Sequence, residues 1–168
     1  LLAVLFMDLD GFKNINDRLG HAVGDQVLRS VAGRLAAGVR RSDTVSRHGG
    51  DEFVVLLTEV ACAEDAAFSA DNLLAGIAVP QLIEGRNLRV TASAGVSVYP
   101  SDGLDAGTLL RKADLALLRA KAQRLAWPPL ARIAATVSHA ATNALRVKKT
   151  PDDQPSPAGL SDNLRRTP

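Results

Sequence analysis

The sequence predicts an α+β domain with a mostly antiparallel sheet that is covered by helices on one side. Three observations lead to this fold class: apolar runs of strand length, apolar residues at three- and four-residue spacing, and a Gly49-Gly50 pair between two strand-like segments. In chain order the elements are strand, two helices, hairpin, helix, strand and helix. With 168 residues, 46% of them hydrophobic and 23% charged, the chain has the size and composition of one globular domain.

The first strand is a continuous apolar run over residues 1–7 that ends in the sequence DLDG at residues 8–11. Such a run is typical of a buried strand, and ligands commonly bind where strands end. A short helix over residues 12–19 is expected to stop at Gly20, because glycine favours helix ends. Apolar residues at helical spacing then predict a longer helix over residues 23–40.

The remaining elements are a hairpin, two helices and a strand. Val45 and the apolar run 53–57 flank the glycine pair, which is the pattern of two strands joined by a tight turn. Residues 63–78 and 105–122 have helical period. Residues 88–99 alternate in the manner of a strand with one face on the core and the other on polar surroundings.

The charge and the residue composition of the chain change near residue 124. Residues 1–123 hold 13 Lys and Arg against 15 Asp and Glu, whereas residues 124–168 hold 7 against 3, so the basic excess belongs to the second segment. The last residues, rich in Pro, Asp and Ser, are predicted to be disordered. We therefore divide the chain into a domain at 1–123 and a divergent, partly disordered tail at 124–168.

The composition also limits the partners and the location. The predicted domain is mildly acidic and poor in aromatic residues, so it offers no stacking surface for single strands, and we expect no nucleic-acid partner. No apolar run approaches the roughly 20 residues that cross a bilayer, so we expect no membrane segment in this chain and a cytoplasmic location. The single cysteine, Cys62, excludes an internal disulfide.

Acidic residues occur at two of the predicted turns. Asp8 and Asp10 end the first strand, and Asp51 and Glu52 follow the glycine pair. Such oxygen-rich clusters suit Mg²⁺, which usually keeps waters and substrate phosphates among its ligands. We expect only one of the two strand carboxylates to reach a metal, together with the carbonyl of Leu9. Each acid alone is better explained as a solvated turn residue, so the prediction depends on the combination.

The segments that contain these acids resemble the diguanylate cyclase (GGDEF) family. The resemblance implies a palm-like nucleotide cyclase fold and covers residues 1 to about 123. The family core begins with a helix before the first strand, and we expect this chain to lack that helix. The matching motifs are FMDLDGFKNIND at 6–17, GHAVGD at 20–25, RHGGDEF at 47–53, SAGVS at 93–97 and ADLAL at 113–117.

The resemblance implies an enzyme of bacterial second-messenger signalling that condenses two GTP molecules into cyclic di-GMP and pyrophosphate. Each monomer of the family binds one GTP, so a homodimer is the expected active form. Asp8, the Leu9 carbonyl and Asp51 would bind Mg²⁺ or Mn²⁺. Asp51, or else Glu52, would accept the proton of the attacking ribose 3′-hydroxyl. Lys13 would stabilise the charge that develops as pyrophosphate leaves.

The resemblance also implies residues that contact the substrate. Asp25 would accept the two N–H groups on the pairing edge of guanine, and Asn16 would hold the base or the ribose. Both residues lie near predicted helix ends, where polar side chains commonly act as caps instead. The other implied substrate contacts are His21, Gly49, Gly50 and Lys121.

Arg40 and Asp43 have the R-x-x-D spacing of the family's product-inhibition site. Arg40 would bind phosphate or guanine, and Asp43 the guanine pairing edge. Taken alone, R-x-x-D is a weak pattern, since an arginine at a helix end also favours the helix dipole. The alternative function is a catalytically impaired module that binds cyclic di-GMP or GTP as a receptor. A third hypothesis, another palm-like nucleotidyl transferase, is disfavoured by the glycine turn and Asp25.

Overall fold

The structure, a computed structural model, describes residues 1–126 and 136–137. Within them no helix combines the length and hydropathy that a bilayer span requires. Most of the predicted tail lies outside the described residues, and α4 continues three residues past position 123. The elements are β1 (Leu2–Leu9), α1 (Phe12–Leu19), α2 (His21–Gly38), β2 (Thr44–Gly49), β3 (Glu52–Leu57), α3 (Ala63–Ala78), β4 (Gln81–Ile83), β5 (Arg86–Leu88), β6 (Ala92–Tyr99), α4 (Ala106–Ala126) and β7 (Thr136–Val137).

The main sheet has five strands in the order β2-β3-β1-β6-β7. All described pairs are antiparallel except β6 with β7, which is parallel. In this register Asp8, near the end of β1, lies opposite Glu52 at the start of β3 and opposite Ser93 near the start of β6. The predicted mostly antiparallel α+β fold is confirmed. The strand pairing brings the end of β1, the turn of the β2–β3 hairpin and the start of β6 together at one edge of the sheet, the edge formed by these strand ends.

Helices cover both faces of the sheet, so the expectation of helices on one side is wrong. Alternate side chains of β1, from Ala3 to Leu9, pack in one core with α2 and α3. The intervening Val4 and Phe6 pack in a second core with Leu109 and Leu117 of α4. The physical reason is visible in β1, whose apolar run leaves neither face polar.

The strand predicted over residues 88–99 is two separate elements, because β5 ends at Leu88 and β6 begins at Ala92. The predicted polar face is also wrong, since β6 is buried on both sides up to Val98. Its serines are buried with hydrogen-bond partners; the Ser97 hydroxyl donates to the Leu109 carbonyl at 2.8 Å. At Gly95 a Cβ atom would collide with the backbone of α4, so the helix rests directly on the strand.

A small hairpin formed by β4 and β5 was not predicted. Each of its strands has three residues, too few to show alternation, and the turn between them uses positive φ angles at Glu84 and Gly85. The hairpin contacts α2 through Gln26, whose Nε2 donates to Glu84 Oε1 at 2.9 Å.

Candidate active site

The end of β1 and the turn of the β2–β3 hairpin are joined through the backbone. The Leu9 N–H donates to the Asp51 carbonyl at 3.3 Å. Asp51 shares the two-residue turn with Gly50, whose φ of 52° lies in the left-handed region that glycine adopts without Cβ strain. The strand-end acids and the glycine turn are therefore neighbours.

Asp8 is half-buried at this edge, with 16% of its side chain exposed. Its carboxylate forms an ion pair of 2.7 Å with Lys121 Nζ of α4. Burial raises the pKa of Asp8, Lys121 opposes that rise, and the nearby charges of Asp51 and Asp10 add to it. Burial is the largest of these influences, so the pKa of Asp8 lies above its ordinary value in spite of the contact with Lys121.

Asp10 has a different environment. Its two carboxylate oxygens accept hydrogen bonds from Thr91 Oγ1 at 2.7 Å and Ser93 Oγ at 2.9 Å. Its N–H also donates to the Thr91 carbonyl at 2.8 Å. Ser93 is the register partner of Asp8, so both acids lie on the α4 side of the sheet and differ in their partners. No role was predicted for Thr91 or Ser93, although two hydroxyl residues two apart at a strand start share a face.

The N-terminus of α1 follows this edge directly. Gly11 stands at the N-cap with a φ of 68°, and no side chain caps the helix. The amide groups of the first turn can therefore meet an anion. Lys13 lies in this turn with an exposed side chain.

Asn16 of α1 contacts Gly24, the residue before Asp25, at the junction of α1 and α2. The carboxamide of Asn16 lies over Gly24, where an added Cβ would collide with Asn16 Oδ1. Asp25 follows Gly24 and is exposed, as is His21, the first residue of α2. The missing side chain at Gly24 thus makes room for the polar group of Asn16 beside Asp25.

Arg40 and Asp43 lie at the other end of the β2–β3 hairpin. Glu52 and Leu57, the ends of β3, are five residue steps apart, and at 3.4 Å per step this places the two ends roughly 17 Å apart. Asp43 Oδ2 accepts from the Arg40 N–H and Oδ1 from the Thr58 N–H, both at 3.0 Å. The carboxylate of Asp43 therefore already fastens the start of β2 to the end of β3.

A groove runs beside this pair, between the segment after α2, the end of β3 and the first half of α3. Arg40 spans part of it, donating from Nη1 to the Glu59 carbonyl at 3.2 Å. Asp65 and Phe68 of α3 line the opposite wall, and the Phe68 side chain is 68% exposed. Neither residue was predicted from the sequence to have a role.

The donor set at the edge of β1 fits a hard divalent cation. In the described part of the chain, no three His, Cys, Asp or Glu side chains are arranged to hold a metal. A cation beside Asp8 and Asp51 would thus take two carboxylates and complete its shell with backbone carbonyl, water and substrate oxygens. Magnesium is commonly bound in this way.

The site combines acidic residues at a sheet edge, a glycine turn and an uncapped helix start, on a sheet covered by helices. This combination places the chain among palm-like α+β domains. The chain belongs to the diguanylate cyclase GGDEF-domain family. The family profile, described as "Diguanylate cyclase, GGDEF domain", matches residues 1–125, which confirms the resemblance stated from the motifs.

Two curated relatives and one solved structure illustrate the match. The chain is 46% identical over 123 residues to Diguanylate cyclase TpbB of Pseudomonas aeruginosa, covering 73% of this chain and 28% of TpbB. It is 46% identical over 121 residues to Cyclic di-GMP phosphodiesterase NbdA of the same species, covering 72% of this chain and 15% of NbdA. The solved GGDEF domain of PA1120 (YfiN or TpbB) from P. aeruginosa matches with a TM-score of 0.74 and 42% identity, covering 82% of this chain and 81% of that chain.

The chain spans less than a third of the length of either curated relative. One of the two is named a cyclase and the other a phosphodiesterase, although both align with the same domain. Family membership by itself therefore leaves the activity to be argued from the site.

Proposed function

We propose that this domain is a diguanylate cyclase, which condenses two GTP molecules into cyclic di-GMP and two pyrophosphates. The observation that supports the proposal is the backbone hydrogen bond from Leu9 of β1 to Asp51 of the glycine turn. This bond holds Asp51 near Asp8. A module that only binds nucleotide has no need of such a carboxylate cluster. Phosphoryl transfer does need one, because it depends on positioning and charge neutralisation.

Asp8, Asp51 and the Leu9 carbonyl would hold Mg²⁺ or Mn²⁺, which would neutralise triphosphate charge at the reacting α-phosphate. Asp51, or else Glu52, would accept the proton of the 3′-hydroxyl as that oxygen attacks the α-phosphorus. Lys13, exposed at the start of α1, would stabilise the departing pyrophosphate. Lys121 would contact phosphate as well; its present ion pair with Asp8 supports this assignment, because it puts the ammonium group at the same edge.

The α1–α2 junction would bind the guanine nucleotide. Asp25 would accept the two N–H groups of the guanine edge, and Asn16 would hold the base or ribose next to it. His21 would contact the substrate from the start of α2, and the turn at Gly49 and Gly50 would let the backbone approach the nucleotide. The support for this arrangement is the contact of Asn16 with Gly24, the neighbour of Asp25.

A second function, binding of cyclic di-GMP, is favoured by the groove at Arg40 and Asp43. It contains an arginine for phosphate or guanine and carboxylates for the guanine edge. In an active enzyme, cyclic di-GMP bound at this site would inhibit GTP turnover. In a catalytically impaired domain, the same site would make the domain a receptor. The active form would be a homodimer with two facing half-sites, acting in the cytoplasm as part of bacterial second-messenger signalling.

The test incubates the purified chain with GTP and Mg²⁺, follows cyclic di-GMP by chromatography, and measures GTP and cyclic di-GMP binding by calorimetry. We expect product from the parent chain and a loss of at least about 10² to 10⁴-fold in Asp51→Asn, the contribution typical of general acid–base catalysis. Glu64→Gln removes one exposed carboxylate from the first turn of α3 and is the matched control.

The outcomes separate the hypotheses. Equal turnover in parent and Asp51→Asn would contradict the assignment of Asp51. Binding of cyclic di-GMP without any GTP turnover would favour the receptor function. A chain that neither turns over nor binds guanine nucleotides would contradict both.

A further inference from the structure

The glycines of the turn that carries Asp51 are not fixed by packing. The register between β2 and β3 shifts between Arg47 and Gly49, so regular pairing is interrupted just before the turn. Gly49 and Gly50 are exposed, and a Cβ added to either would meet nothing within 4 Å. Two adjacent glycines in open space would allow many backbone conformations, because glycine has the largest conformational freedom of any residue.

One side chain bridges this turn. Arg47, the last residue before the shift, donates from Nε to the Gly50 carbonyl at 2.9 Å. The carbonyl of Gly50 and the N–H of Asp51 belong to one planar peptide unit. The hydrogen bond from Arg47 therefore orients the peptide that enters Asp51.

The peptide that leaves Asp51 is held separately, since the Asp51 carbonyl accepts the Leu9 N–H at 3.3 Å. The two peptide planes that flank a Cα atom determine the direction of its Cβ. Arg47 on one side and the backbone of β1 on the other thus set the direction of the Asp51 Cα–Cβ bond.

We propose that Arg47 is a positioning residue that fixes the Gly50–Asp51 peptide and so orients the Asp51 carboxylate. Its planar guanidinium offers the Nε–H at a fixed angle, which the flexible ammonium of lysine does not reproduce. The effect on the turn is independent of the activity, whereas the effect on turnover rests on the proposed cyclase function.

The test compares the full chain with Arg47→Ala and Arg47→Lys. Arg86→Ala, an exposed arginine in the β4–β5 hairpin, is the matched control for loss of charge. NMR relaxation gives the backbone order parameters of Gly50 and Asp51, and hydrogen exchange at the Leu9 amide reports the bond to Asp51. In both Arg47 variants we expect the order parameters to fall from about 0.85 toward 0.6 and the Leu9 amide to exchange faster. Arg86→Ala should match the parent.

Kinetics add a second readout. A misplaced catalytic group lowers kcat, by about 10²-fold for a displacement near 1 Å, and leaves the GTP KM nearly unchanged. Unchanged order parameters in Arg47→Ala, or a parent-like Arg47→Lys, would overturn the inference. A higher KM with unchanged kcat would also overturn it, because Arg47 would then be a phosphate ligand. If the parent itself fails to turn over GTP, the order parameters alone decide the inference and the proposed function fails separately.

Discussion

Lys121 of α4 and Asp8 of β1 form an ion pair of 2.7 Å on the face of the sheet that α4 covers. The two residues are distant in sequence, and only the packing of α4 against β1 and β6 brings them together. The pair puts a cation next to the carboxylate that is the proposed metal ligand. Burial nevertheless dominates the pKa of Asp8 and keeps it above its ordinary value.

The first prediction concerns stability against pH in the absence of divalent metal. A carboxylate whose pKa is raised in the folded state binds protons more tightly there than in the unfolded chain. Its stabilising effect is full below the ordinary value of 3.8 and is lost as the pH rises through the folded pKa. Asp8→Asn, which stays neutral, should therefore be more stable than the parent near neutral pH. The advantage should disappear toward pH 3.

Urea denaturation over this pH range checks the prediction. Asp17→Asn, on the exposed side of α1, is the matched control. A parent that is the more stable of the two at neutral pH would mean that the Lys121 pair outweighs burial.

The second prediction uses two glycines in different surroundings. In Gly95→Ala the new Cβ meets the backbone of α4, which cannot rotate away, so we expect a loss of about 1 to 3 kcal/mol or more. In Gly33→Ala the new Cβ points into open space on α2, and stability should rise by roughly 0.5 to 1 kcal/mol. Urea denaturation of both variants measures the difference. Equal effects would contradict the close contact between α4 and β6.

The third prediction tests the role of Asn16 without changing Asn16. In Gly24→Ala the new Cβ occupies the place of the Asn16 carboxamide, the free end of a side chain that can turn away. The new Cβ also lies 3.2 Å from Phe12 Cζ, a tight contact with a buried side chain, so folding stability should fall modestly. GTP binding should weaken about tenfold, the loss of one hydrogen bond to a substrate. Calorimetric titration with GTP measures the effect, with Gly33→Ala as the control. Unchanged GTP affinity would make Asn16 a structural residue of the α1–α2 junction.

The fourth prediction is that Asp25 selects guanine. A carboxylate that accepts two N–H groups is left without partners by adenine, at a penalty of about 1 to 3 kcal/mol or more. The parent should bind GTP well and ATP poorly, and Asp25→Ala should lose most of this preference. Competition titrations with GTP and ATP measure this preference in the parent and in Asp25→Ala. A variant that still prefers GTP would place base recognition elsewhere.

The fifth prediction separates the two residues of the R-x-x-D pair. Arg40→Ala should abolish inhibition by cyclic di-GMP, a coupling of typically 1 to 3 kcal/mol, and retain basal turnover. Asp43→Ala should also destabilise the fold by about 0.5 to 1.5 kcal/mol, because the exposed Arg40 N–H and the part-buried Thr58 N–H lose their acceptor. Inhibition curves and urea denaturation are the two measurements. An Arg40→Ala enzyme as sensitive to cyclic di-GMP as the parent would exclude this site.

The sequence predicts elements well where one period continues for several turns or a whole strand. The apolar run of β1 and the helical spacing in α2 to α4 are of this kind. The β4–β5 hairpin was missed because three-residue strands carry no period. The serines of β6 were misread because Ser93 and Ser97 satisfy their hydroxyls inside the protein, at Asp10 and at the Leu109 carbonyl. A sequence shows that a residue is polar and leaves its partner undetermined.

The same limit applies to the candidate site. The motifs indicate Asp8, Asp51 and the glycine turn, because these residues are consecutive or follow recognisable elements. The Lys121 pair with Asp8 depends on how α4 is placed, which no local pattern encodes. Arg47 and Asp43 are local cases: each contacts a backbone group three residues away, and that spacing was visible but had no chemical partner in the sequence alone.

The β2–β3 hairpin is closed at both ends by side chains, by Asp43 with Thr58 at its base and by Arg47 with Gly50 at its tip. A short hairpin that is held at both ends can transmit a displacement of its base to its turn. A ligand in the groove that displaced the Thr58 N–H from Asp43 would loosen the base of the hairpin that carries Asp51. Under the proposed function, product binding would then act on the turn of Asp51 within a single subunit, in addition to any effect on how two subunits of the proposed dimer face each other.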